Sequence, residues 1–156
     1  MRTLILVVWA LLLVAASSYA QKGTAKTLDI YLIDVEGGNA TLFVAPSGES
    51  LLIDTGSPTN FRDADRIVAA ASDAGIKQID NLITTHYHID HVGGLAELAA
   101  RVPIRHLIDH GPSVQPDRGT TEKSLQEYAD LSAKTKRTIV KPGDTLSVGA
   151  LDVQVQ

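Results

Sequence analysis

The sequence predicts a mixed α/β fold (α+β in an alternative scheme), in which an antiparallel meander of strands is followed by alternating helices and strands. Residues 28–35, 40–44 and 51–53 are rich in apolar and β-branched side chains. Gly37-Gly38-Asn39 and Pro46-Ser47-Gly48 separate them as short turns. The apolar spacing then changes. Ile67, Val68, Ala71 and Ala74 recur at helical intervals within residues 62–74, and Gly75 follows as a stop signal. Residues 79–85 read as a buried strand that delivers the chain to His86. Residues 95–101 read as a helix halted before Pro103, 104–108 as a strand, and 122–134 as a helix with Leu125, Tyr128 and Leu131 on one side. Residues 138–140 are expected to be extended, Pro142-Gly143-Asp144 to turn, and residues 151–155 to begin a strand with clean alternation. Lys134-Thr135-Lys136-Arg137 reads as a solvated helix end, since cations favour helix C-termini.

Composition narrows the function classes. The 156 residues are 44% hydrophobic and 21% charged, as expected of a folded domain rather than a disordered chain. The net charge of −4 gives no strong nucleic-acid signature, and an aromatic content of 4% offers no stacking platform for single strands. There are no cysteines, which excludes disulfides, thiolate metal sites and a thiol nucleophile. Any metal ligands must be His, Asp or Glu.

Residues 1–20 read as a signal peptide. Arg2 supplies the basic start, residues 4–16 an apolar run, and Ser18 and Ala20 the small residues a peptidase requires. Cleavage after Ala20 would export the chain to the periplasm or medium with Gln21 first. The alternative, an uncleaved anchor, is disfavoured because the run is shorter than the roughly 20 residues that span a bilayer. No later stretch is long enough, so no transmembrane span is expected in the mature chain. Residues 21–26 are polar and expected to be flexible, and residues 27–156 form the folded domain. The last strand begins a fresh apolar face and stops, so the chain reads as the N-terminal part of a longer protein.

Three of the five histidines fall in the six residues His86-Tyr87-His88-Ile89-Asp90-His91. Chance would produce this arrangement in on the order of one chain in a few thousand. His86 and His88 are two apart, so an extended segment projects both to one side, where they can approach one metal. Asp90 and His91 follow as the chain bends toward Gly93-Gly94 and can face a second metal. The two glycines suit a close backbone approach to the site or a plain turn. The donors suit Zn²⁺, and also Mn²⁺ or Fe²⁺. A plain helix-capping loop would account for Asp90 and the glycines but not for three histidines.

The segment Thr85-His86-Tyr87-His88-Ile89-Asp90-His91-Val92-Gly93-Gly94 resembles the THxHxDHxGG signature of the metallo-β-lactamase superfamily. Leu52-Ile53-Asp54-Thr55-Gly56 resembles the LIDTG motif of that family. Asp34-Val35-Glu36-Gly37-Gly38-Asn39-Ala40-Thr41-Leu42 resembles the DVGQGDA-like opening of the branch containing the DNA-uptake competence proteins' hydrolase domain. The chain departs from these patterns at Glu36-Gly37-Gly38-Asn39, and at Ile89, where a smaller residue is common.

The resemblance implies an αββα sandwich of which this chain supplies the first half. It assigns His86 and His88 to one metal and Asp90 and His91 to the other. Asp54 would orient ligands from behind, although its motif also reads simply as a strand-ending turn. The implied activity is hydrolysis by a metal-activated water at a two-zinc site, acting on a small-molecule, ester or phosphodiester substrate. The alternatives are a non-catalytic metal-binding or interaction protein of the same fold, and an inactive fragment. Four ligands leave two per metal, below the three usual for catalytic zinc, so the remaining ligands are expected beyond Gln156. His106 and His110 do not stand where the pattern places them. Both read as surface or structural histidines, with His110 a possible pocket residue.

Overall fold

The structure, a computed structural model, describes residues 27–113 and 119–156. The expected signal peptide and the polar segment 21–26 lie outside the described residues.

The central element is a six-stranded sheet in the order β1 (Asp29–Leu32), β2 (Thr41–Val44), β3 (Ser50–Ile53), β4 (Asn81–Ile83), β5 (His106–Asp109) and β6 (Lys136–Ile139). The first three strands pair antiparallel, as the short turns between them predict. From β3 onward each neighbour is parallel, because each connection runs through helix: α1 (Arg62–Asp73), the short α2 (Ile89–Val92) and α3 (Leu95–Ala99), and α4 (Glu122–Ser132). This order has a consequence for the site. Strands β1, β3, β4 and β5 all point the same way, so the segments that follow them emerge along one edge of the sheet.

Strand alternation divides the side chains between two faces. In one row Tyr31, Leu42, Leu52, Leu82 and Leu107 stand in register across five strands. The four leucines are fully buried, each stabilising the fold by roughly 1.5–3 kcal/mol. Ala64, Ile67 and Ala71 of α1, Leu95 and Leu98 of α3 and Tyr128 of α4 join the same core. On the opposite face a hairpin of β7 (Thr145–Val148) and β8 (Leu151–Gln154) sits across a cavity of about 430 Å³ from Ile53 and Ile83. That face runs on to β1, where Leu32 is 83% exposed.

Most expected elements are present, with two corrections. Residues 134–137 are not a solvated helix end: α4 stops at Ser132 and residues 136–139 are the edge strand β6. The strand at 151–154 is not left without a partner, because the unforeseen β7 pairs with it antiparallel. Among the described residues no helix is long and apolar enough to cross a membrane.

Arg137 explains the first correction. Its guanidinium donates to both oxygens of the buried Asp109, at 2.7 and 2.8 Å, and Tyr128 Oη and the Gly111 amide donate to the same carboxylate. This fork ties β6 to β5 and α4. Burial acts to raise the Asp109 carboxyl, but its hydrogen bonds, led by that from Arg137, outweigh it and hold the group below its ordinary value of 3.8. A carboxyl depressed in the folded state stabilises the fold above that ordinary value, and the contribution is lost as pH falls through the lower folded value. Arg137→Leu should therefore cost about 2–3 kcal/mol at neutral pH by leaving a buried carboxylate underpaired. Urea unfolding of wild type and variant should show the gap closing below pH 3.8; a gap that is constant with pH would contradict this account.

Candidate metal centre

The three motifs meet at the edge where β1, β3 and β4 end. Between β4 and α2 the chain is extended, and its alternation sends Tyr87 inward while His86 and His88 share the other side. Tyr87 is buried. Its hydroxyl donates to the Gly111 carbonyl, its ring lies edge-on to Tyr128 at 5.2 Å, and burial foremost pushes its hydroxyl up to about 12. The segment is thus anchored from below, with the histidines left partly exposed above. The His86 ring centroid lies 4.5 Å from that of His88 and 4.0 Å from that of His91. Asp90 Oδ2 is 3.7 Å from His91 Nε2. The structure therefore brings the four expected ligands into one cluster. Burial, and then the neighbouring His91 and His88, hold the His86 imidazole below its ordinary value, which favours its neutral, ligating form at pH 7.

Asp54 stands behind this cluster, 1% exposed at the end of β3. Its φ of +61° is in the left-handed region, where Asp is one of the few non-glycine residues found. That turn of the backbone points its carboxylate at the segment from Thr85 to His91. Oδ1 accepts from the Thr85 amide at 2.8 Å, and Oδ2 accepts from the Thr85 hydroxyl at 2.7 Å. His91 Nδ1 lies 2.8 Å from Oδ2. Because a carboxylate only accepts, the His91 ring donates from Nδ1, which leaves Nε2 as the nitrogen that can ligate. Thr85 has already given its hydroxyl proton to Asp54, so it accepts from His86 Nδ1, 3.1 Å away. One carboxylate sets the tautomer of two imidazoles, directly for His91 and through Thr85 for His86.

Backbone contacts fix the rest. The Thr55 amide and hydroxyl both donate to the His91 carbonyl, and the Gly94 amide donates to the Gly56 carbonyl. A Cβ on Gly94 would lie 2.2 Å from the Thr55 carbonyl oxygen, so the expected close approach at Gly93-Gly94 is between the two motifs. The donor set fits divalent metal: three imidazoles, two of them (His86 and His91) with Nδ1 engaged and Nε2 left to ligate, beside one carboxylate. Among the described residues no three donors are gathered into a ready-made cage. The cluster is a group of converging side chains rather than a finished coordination sphere.

The other histidines lie apart. His106 uses both ring nitrogens inside the sheet, against Asn81 Oδ1 and Thr138 Oγ1. His110 lies edge-on to Tyr87 at 5.4 Å and lines the cavity beneath the hairpin together with Thr85. Sequence reasoning missed Thr85 and Asn39 as supporting residues. Asn39 Nδ2 donates to Asp54 Oδ2 and to the Ile53 carbonyl. Its only signal was that it falls inside a motif as a departure from the pattern.

The chain matches the family model of the metallo-beta-lactamase superfamily over residues 33–150. It is 35% identical over 117 residues to the ribonuclease Z of Methanopyrus kandleri, covering 73% of this chain and 37% of that one. In structure it is similar to the Rm3 metallo-beta-lactamase, with a TM-score of 0.56 and 22% identity over 80% of this chain and 47% of that one. It is likewise similar to MEM-A1, a subclass B3 metallo-beta-lactamase isolated from a soil metagenome library, with a TM-score of 0.54, 23% identity and coverage of 80% and 48%. The chain thus spans little more than a third of its curated relative and about half of these solved structures. A family match over most of the chain, carried on a sheet that brings the family's three motifs to one edge, shows that this chain belongs to the metallo-beta-lactamase superfamily.

Proposed function

We propose that the protein is a metal-dependent hydrolase in which His86 and His88 hold one divalent ion and Asp90 and His91 hold a second. The observation that supports this most is the arrangement of the Nδ1 atoms. Asp54 and Thr85 engage Nδ1 of His91 and His86, which leaves Nε2 of each ring as the ligating atom. Zinc suits the imidazole-rich set, and Mn²⁺ or Fe²⁺ accept the same donors. A pair of such ions supplies water activation at neutral pH and polarisation of the scissile bond. This chain's residues do the holding: Tyr87 anchors the segment, Thr55 fixes the His91 main chain, and Asp54 orients two rings. Four ligands fall short of about three per catalytic zinc, so the intact protein is proposed to complete the set from further along.

For the substrate, likeness to a ribonuclease at 35% identity supports a phosphodiester over a lactam. The acidic net charge argues for a small one rather than a long nucleic acid. Export follows from the N-terminal segment, and mass spectrometry of the exported protein should find Gln21 at its terminus.

In the intact protein, His88→Ala should lose tight binding of at least one ion per chain by elemental analysis; unchanged metal content would sink the ligand assignment. Asp54→Asn puts an amide group where Thr85 and His91 require an acceptor. It should weaken zinc binding about 10–100-fold, read by competition with a chromophoric chelator. On a panel of bis(p-nitrophenyl) phosphate, p-nitrophenyl acetate and nitrocefin, turnover should be highest with the diester. Hydrolysis of the lactam alone would reverse the substrate reading.

A further inference from the structure

The segment from Asp34 to Leu42 is the one motif that the ligand set leaves without a part. Its turn lies against the metal-ligand segment. A Cβ on Gly38 would stand 1.8 Å from the Asp90 carbonyl oxygen, so only glycine allows that approach. The next residue, Asn39, donates its main-chain amide to the same Asp90 oxygen at 3.3 Å, and its carbonyl accepts from the Gly56 amide at 3.0 Å. Its side chain is satisfied at both ends. Nδ2 donates to Asp54 Oδ2 at 3.2 Å and to the Ile53 carbonyl at 3.1 Å, while Oδ1 accepts from the Thr41 hydroxyl at 3.3 Å. Two acceptors face Nδ2 and one donor faces Oδ1, which determines the orientation of the amide.

Asp54 Oδ2 therefore receives three side-chain donors: Thr85, His91 and Asn39. The first two are groups that Asp54 orients. Asn39 holds Asp54 itself, from Oδ2, as the Thr85 main-chain amide does from Oδ1. An aspartate, the residue that the resembling motif carries here, has the same shape but no donor. It would set one carboxylate against another and against the Ile53 carbonyl. The departure from the motif thus has a physical consequence: the carboxamide donates where an ionised carboxylate could not.

We propose that Asn39 is a positioning residue for the metal centre, its carboxamide holding Asp54 in the orientation that sets the His86 and His91 rings for ligation. This rests on the metal-centre reading above and concerns how tightly that centre binds, not what it hydrolyses.

The test uses the intact protein stripped of metal by chelation, with zinc alone as the probe. Asn39→Asp, matched in shape, and Asn39→Ser should both fold by circular dichroism and bind zinc about 10–100-fold more weakly than wild type. A residue that only braced the fold would instead lower the unfolding midpoint of the zinc-free protein and leave the zinc affinity of its folded form unchanged. Long-range ¹H–¹⁵N spectra of the zinc-free protein give a second readout: His91 should be a single Nδ1–H tautomer in wild type and a mixture in the variants. Zinc affinities within twofold of wild type in the folded variants would overturn the proposal and leave the metal centre standing. A wild type that binds no zinc would overturn both. If neither variant folds, the zinc-free wild type decides: a single Nδ1–H tautomer at His91 together with protected Asn39 side-chain amide protons supports the proposal, and a tautomer mixture or freely exchanging protons refutes it.

Discussion

The carboxylate of Asp54 is the point on which the site depends. Buried at the end of β3, it accepts from a backbone amide, a hydroxyl, an imidazole and a carboxamide that come from two separate stretches of chain. Hydrogen bonds to an ionised acceptor are the strong ones, and a buried carboxylate left short of donors is costly. The loops after β1 and β4 therefore have a common reason to close on the end of β3. The backbone bonds from Thr55 and Gly94 reinforce the same closure.

The sheet makes this meeting possible. β3 pairs antiparallel with β2 and parallel with β4, so it is the boundary between the meander and the crossover half. Its end, together with those of β1 and β4, opens onto one edge, the position where α/β sheets commonly bind ligands. The buried leucine row beneath, from Leu42 to Leu107, keeps those strand ends in register. Helices α1, α3 and α4 cover that row from one side.

Much of this was legible from residue order. The meander follows from short apolar runs broken by glycine and proline, and the convergence of His86, His88 and His91 from their spacing. Other parts were hidden because their partners are distant in sequence. Lys136 and Arg137 look like a solvated helix end until Asp109, 28 residues earlier, is seen to take the guanidinium. Thr145–Val148 reads as loop until β8 lies beside it. Asn39 and Thr85 both meet Asp54, 15 and 31 residues away, and no local pattern marks such a contact. The left-handed turn at Asp54 was also invisible, because Gly56 two residues on is the obvious residue for positive φ.

That turn sets two demands on position 54 that pull in opposite directions. The backbone there, with φ of +61°, would be most relaxed with glycine, yet glycine would strand three side-chain donors and both tautomer assignments. Backbone ease favours glycine at this position, and the four donors gathered on the carboxylate favour aspartate. Position 54 thus records, in a single backbone angle, a trade of conformational ease for chemical purpose.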